Sequence, residues 1–78
     1  MKISEDYSQG AGIIDVVDDS TIYYLYPAFG VTSEIEPRWA ICRAKKTGTA
    51  WKYQWAEGSL EKIFKASDRL TLNYSWIK

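Results

Sequence analysis

The sequence has no histidine and a single cysteine, Cys42. Without histidine, the usual proton shuttle, the base of a Ser–His or Cys–His pair and the commonest metal ligand are all missing. One cysteine excludes an internal disulfide and any multi-cysteine zinc site. Cys42 stands between Ala40 and Ala44 at strand spacing, which suits a small buried hydrophobe better than an activated thiolate. No phosphate-binding loop is present either, because "GAG" at residues 10–12 lacks the strand before it and the helix after it. Asp15, Asp18 and Asp19 are spaced for a weak calcium site or, more simply, for a solvated turn. The expectation is a protein that is not an enzyme and holds no cofactor or resident metal.

Net charge is absent as well: ten basic residues balance ten acidic ones. That balance argues against a domain that binds nucleic acid mainly by displacing counterions. The distribution is uneven, with seven of the ten acids before residue 37 and nine of the ten bases after residue 36. Two arrangements fit: acidic and basic strands pair across one sheet, or opposite signs sit on different faces and let copies associate head to tail. No apolar run approaches the roughly 20 residues a membrane helix needs. The N-terminus lacks the apolar core of a secretory signal, so a soluble protein made in a reducing cytoplasm, with no membrane partner, is expected.

Aromatic residues are plentiful: four Trp, six Tyr and two Phe in 78 residues. A chain this short buries only about 60% of its unfolded surface, so its core is thin. Each buried ring removes roughly 150–250 Å² from water, which at about 25 cal/mol per Å² makes the rings the main source of stability. In "AWKYQWAEG" the alternation puts Trp51, Tyr53 and Trp55 on one strand face, where they serve as core or as a stacking platform for single-stranded nucleic acid or carbohydrate. Core is the preferred reading, and the expected interior comprises Tyr24, Trp39, Ile41, Trp51, Tyr53, Trp55, Leu70, Leu72 and Tyr74.

Residues 1–11 are polar and end in "QGAG", which reads as a flexible arm ahead of a single β domain over 12–78. Strand patterns follow at "GIIDVV" and "TIYYLYPAF", the second apolar on both faces and therefore central. After an irregular stretch to Pro37, "RWAICRAKK" and "AWKYQWA" flank "TGT", a hairpin signature. "LEKIF" spaces Leu60, Ile63 and Phe64 as one helical turn, and "RLTLNYSWIK" alternates as a half-buried strand. The fold class expected is all-β: a small antiparallel barrel or sandwich of five to six strands, with at most one short helical turn near 60–65.

"YLYPAFG", then "PRWAICRAKKTGTAWKYQWAEGSLEKIF", then "SDRLTLNY" resembles a family of short tailed-phage proteins encoded among virion genes. Their pattern is a Tyr-rich strand and a glycine, then Trp-Arg-Ile, Trp-Ala-Asp-Gly, an aromatic, and Asp-Arg with Leu-x-Tyr. The positions that match include Tyr24, Gly30, Trp39, Ile41, Trp55, Ala56, Gly58, Phe64, Asp68, Arg69, Leu70 and Tyr74. Ala40 replaces a frequent arginine, Glu57 the usual aspartate, and "FKASDR" lacks the family's tryptophan. The resemblance implies a virion location and other virion proteins as partners, with no activity attached. Asp68 and Arg69 are read as structural, either as an ordinary surface pair or with Arg69 bonding Glu57 across the sheet. A homo-oligomeric interaction module is then expected, with the acidic arm (Glu5, Asp6, Tyr7) and the apolar loop residues Phe29 and Ile35 as its partner-binding groups.

Overall fold

The computed structural model describes residues 10–78. Five strands, β1 (Ile13–Asp18), β2 (Thr21–Pro27), β3 (Trp39–Thr47), β4 (Ala50–Ala56) and β5 (Tyr74–Ser75), form one antiparallel sheet in chain order. The fold is all-β, and its single helical element among the described residues is a 3-10 turn at Ala66–Asp68, just past the stretch where one was expected. The sheet is not closed into a barrel, so β1 and β5 are its edges.

Turn chemistry sets the two hairpins. Gly48, at φ 65, lies in the two-residue link between the paired Thr47 and Ala50, and only glycine adopts that conformation without strain. Between β1 and β2 the link is Asp19–Ser20, with no positive φ; instead Asp18 Oδ1 accepts from Ser20 N at 2.8 Å and from Ser20 Oγ at 3.0 Å. Such a turn matches strand twist poorly, and a bulge between Val16 and Asp18 takes up the mismatch. The two hydrogen bonds from Ser20 hold the Asp18 carboxyl below its ordinary pKa. Asp18 and Asp19 therefore belong to the turn, whereas Asp15 lies within β1; among the described residues no three His, Cys, Asp or Glu side chains cluster as a metal-ligand set.

β2 is buried on both faces from Thr21 to Leu25, and two apolar clusters form on either side of it. On one face Tyr23, Leu25, Trp39, Ile41, Ala56 and Ala66 are buried, and Ile13, Val31, Phe64, Leu72 and Tyr74 pack against them. The irregular segments 28–38 and 57–73 supply Val31, Phe64, Ala66 and Leu72, so they form the second layer. An isolated bridge fastens that layer, with Trp39 N donating to Phe64 O at 2.9 Å and Phe64 N to Trp39 O at 3.0 Å. On the other face Ile22, Tyr24, Cys42 and Ala44 are buried, flanked by Tyr26, Trp51, Tyr53 and Trp55. The register sets Tyr24, Cys42 and Trp55 in one row, and Ile22, Ala44 and Tyr53 in the next, so small β3 side chains sit between large ones. Burial pushes the Cys42 thiol up to about 12, as an inert structural cysteine requires.

Four expectations need correction. Trp51, Tyr53 and Trp55 are half-buried flanks of a cluster rather than interior residues. Ala56, not Trp55, is the fully buried residue at the end of β4. The strand expected over 69–78 shrinks to Tyr74–Ser75, because Thr71 N and Oγ1 both donate to Asp68 O, at 2.9 and 3.0 Å, and turn the chain. Leu70 is in consequence 69% exposed and Trp76 58% exposed, although both belong to the alternation that suggested a buried face. Leu72 and Tyr74 pack against the core, while Tyr24, Trp39 and Ile41 lie within it.

Arg43 joins β3 to the C-terminal segment. Its guanidinium lies 4.9 Å from the Tyr74 ring centroid and donates through Nη2 to Gln54 Oε1 at 3.2 Å. Its Nε is buried without a hydrogen-bond partner, a cost that the cation–π contact offsets. Tyr74 stacks obliquely on Tyr23 at 5.7 Å and donates its hydroxyl to Arg69 O at 2.7 Å.

Candidate interaction site

Segment 28–38 leaves β2 at Pro27 and returns at Trp39, and its ends are tied by Ala28 N donating to Arg38 O at 2.9 Å. Two β-turns lie within it. In the first, Val31 N donates to Ala28 O at 3.2 Å, with Phe29 and Gly30 at the centre and Gly30 at φ 83, the pattern of a type II turn. In the second, Glu36 N donates to Ser33 O at 3.3 Å around Glu34 and Ile35. Each apolar side chain expected to bind a partner thus occupies the middle of a turn. Phe29 is 99% exposed and Ile35 68% exposed.

The turns are braced rather than loose. Val31 packs into the core, Trp39 Nε1 donates to Ser33 O at 3.1 Å, and Ser67 N donates to Glu34 O at 3.1 Å. Arg38 Nη2 donates to Phe29 O at 3.3 Å. Arg69 supplies the main clamp: Nε donates to Asp15 Oδ2 at 2.8 Å, Nη1 to Glu34 Oε1 at 3.0 Å and to Ala66 O at 2.9 Å. Arg69 therefore links β1, segment 28–38 and the 3-10 turn; its acidic partners are Asp15 and Glu34, rather than the Asp68 or Glu57 of the two alternatives. The bond to Asp15, ahead of that to Glu34, raises the guanidinium pKa. Glu57 instead adopts φ 51 beside Gly58 at φ 65, a left-handed pair closed by Ser59 N donating to Ala56 O at 3.0 Å.

Glu5, Asp6 and Tyr7 lie outside the described residues, as does most of the arm expected over 1–11. Further apolar exposure escaped the sequence reading: Leu60, Ile63, Leu70, Trp76 and Ile77 in the C-terminal third, and Ile14, Val16 and Val17 on β1. Their hydrophobic spacing gave no warning, since it is the same spacing that marks a buried face; only the turn-forming residues around them distinguish the two. Trp51, Tyr53 and Trp55 form neither a sealed core nor a bare groove, and Trp55 stacks on Tyr26 at 5.5 Å with the planes 29° apart.

The charge asymmetry acquires a spatial meaning in this sheet. Asp15 and Asp18 lie on β1, uncharged β2 separates them from Arg43, Lys45 and Lys46 on β3, and Lys52 lies on β4. Opposite signs are carried toward opposite edges. No family model matches the chain, and neither a curated protein nor a solved structure is significantly similar to it.

Proposed function

We propose that this chain is a non-enzymatic protein–protein contact module, a structural component of a phage particle such as a decoration, adaptor or fibre-attached subunit. The observation that supports the reading best is the presentation of Phe29: an aromatic side chain almost wholly in solvent, at the centre of a turn whose backbone is tied on both sides. With the backbone of the turn already fixed, only the side-chain rotamers lose freedom on docking, and burial of the ring is worth about 1.5–3 kcal/mol. Ile35, 68% exposed at the centre of the neighbouring turn, offers a second apolar side chain. The virion setting is supported by the sequence resemblance. The half-buried rings of β4 favour a second reading, a stacking module for single-stranded nucleic acid or carbohydrate.

Mass spectrometry of purified particles of the encoding phage tests the first reading. The chain is expected in the particles, and a Phe29→Ser/Ile35→Ser variant, folded by circular dichroism, is expected to be lost from them. Absence of the unmodified chain from particles overturns the proposal. Quenching of tryptophan fluorescence by oligonucleotides or oligosaccharides would favour the second reading in its place.

A further inference from the structure

The β3–β4 hairpin carries positive charge that the chain does not balance. Lys45 and Lys52 are direct cross-strand partners, so their Cβ atoms stand roughly 5 Å apart on one face of the sheet, an unfavourable placement for like charges. Arg43 lies on the same face, two residues back along β3 and about 7 Å from Lys45. Among the described residues no carboxylate is within salt-bridge distance of these three cations. The acids of β1 that share the face are engaged elsewhere, Asp15 by Arg69 and Asp18 by Ser20. Of the influences that lower the Asp18 pKa, the hydrogen bonds from Ser20 come first and the charge of Lys45 last.

The three cations stand where the second layer stops. On this face of β3, Trp39 and Ile41 are buried in the cluster that the layer covers, Arg43 is half-buried, and Lys45 is exposed, as is Lys52 opposite it. Tyr74 marks the step from covered to open sheet, its ring centroid 4.9 Å from the Arg43 guanidinium. That contact and the bond from Nη2 to Gln54 Oε1 fix the planar fork in place. Whereas Nε is sealed in, Nη1 is open to solvent and has no hydrogen-bond partner among the described residues. A held guanidinium beside two ammonium groups suits an anion with several acceptor oxygens and more than one charge, which a phosphate supplies and a single carboxylate does not. Trp51, Tyr53 and Trp55 lie on the opposite face. Ring stacking and these cations therefore do not share a surface, which favours a compact phosphate group over a stacked base.

We infer that Arg43, Lys45 and Lys52 form a binding site for a phosphate group, carried by inorganic phosphate, a phosphate monoester or a nucleic-acid backbone. Arg43 Nη1 and the two ammonium groups donate to the phosphate oxygens, and the bound anion offsets the repulsion between Lys45 and Lys52. The site lies at the far end of β3 from Phe29 and Ile35, and it does not depend on the reading of the chain as a contact module. With two of the three cations exposed, a dissociation constant on the order of 1 mM is expected.

Amide chemical shifts of the isotope-labelled full chain, titrated with inorganic phosphate and, at matched ionic strength, with chloride, test it. Saturable shifts centred on residues 43–45 and 52–54 are expected with phosphate and not with chloride. Lys45→Gln and Lys52→Gln, both at exposed positions, are each expected to keep the fold by circular dichroism and to weaken phosphate binding about threefold to tenfold. Arg43→Lys, which keeps the charge and loses the fork, is expected to weaken it similarly. A thymidine oligonucleotide that competes at the same amides assigns the phosphate to a nucleic-acid backbone, and one that does not compete assigns it to inorganic phosphate or a monoester. Shifts no larger with phosphate than with chloride, unchanged affinity in a folded Lys45→Gln/Lys52→Gln variant, or tighter saturation by a short polyglutamate peptide overturns the inference. A chain with no phosphate affinity that is nevertheless found in particles removes this site and leaves the contact-module reading standing.

Discussion

Gly58 and Gly48 share a φ of 65 but differ in surroundings, and the difference isolates one contact. A Cβ built on Gly48 meets nothing within 4 Å, whereas one on Gly58 lies 2.6 Å from the Trp76 carbonyl oxygen, 2.9 Å from Ser75 Oγ and 3.0 Å from Lys78 Cγ. Alanine at either position incurs the left-handed penalty of about 1–2 kcal/mol, and each gains similarly from a stiffer unfolded chain, so these terms cancel in a comparison. What remains at 58 is displacement of the tail. The bond from Lys78 N to Gly58 O and the short pairing of β4 with β5 are then lost, at about 0.5–1.5 kcal/mol for each hydrogen bond. Gly58→Ala is expected to cost about 2 kcal/mol more than Gly48→Ala, by urea unfolding followed through tryptophan fluorescence. Equal costs for the two substitutions, within about 0.5 kcal/mol, would refute the idea that the tail is packed onto the Glu57–Gly58 turn.

Arg69→Met removes a clamp of partly exposed ion pairs, so the expected loss is modest, about 1–2 kcal/mol for the set. That loss should shrink in high salt in thermal melts; a salt-independent loss would mean that packing, not charge, holds segment 28–38. Glu57→Gly relieves a left-handed φ of 51 and is expected to stabilise by about 1 kcal/mol in the same urea assay, with no gain counting against the strain. Burial raises the pKa of Tyr74 above its ordinary 10.0 and that of Cys42 from 9.0 to about 12, so the folded state binds these protons more tightly than the unfolded one. Their stabilising contribution is complete below the unfolded values and is lost as pH climbs through the interval above them. The urea midpoint should therefore fall from about pH 9 upward, and a midpoint flat to strongly alkaline pH contradicts the assigned burial.

How much of this molecule was legible in its residues depended on how local each signal was. The β3–β4 hairpin could be read because Gly48 and the alternation on both sides belong to one continuous stretch. The C-terminal segment could not, because Leu70, Leu72, Tyr74 and Trp76 alternate like a strand while Asp68, Thr71 and the hydroxyl of Tyr74 impose turns through contacts that period-two spacing ignores. Arg69 was recognisable as structural, but its partners, Asp15 and Glu34, lie 54 and 35 residues away and follow only from the fold. Phe29 and Ile35 stood out as apolar residues in an irregular stretch, whereas their exposure depends on turns braced by Trp39 and the 3-10 segment.

The charge pattern was plain in the sequence, and its meaning was decided by topology. Asp15 on β1 is neutralised within the chain by Arg69, which the fold brings back to it from the C-terminal third. Strand order follows from short links: two residues join β1 to β2, and two join β3 to β4, so neighbours in sequence become neighbours in the sheet. A meander built this way turns a gradient of charge along the chain into a gradient across the strands β1 to β4. Lys52 lies on β4, outside segment 28–38, so Lys52→Glu is expected to leave contacts made through Phe29 intact.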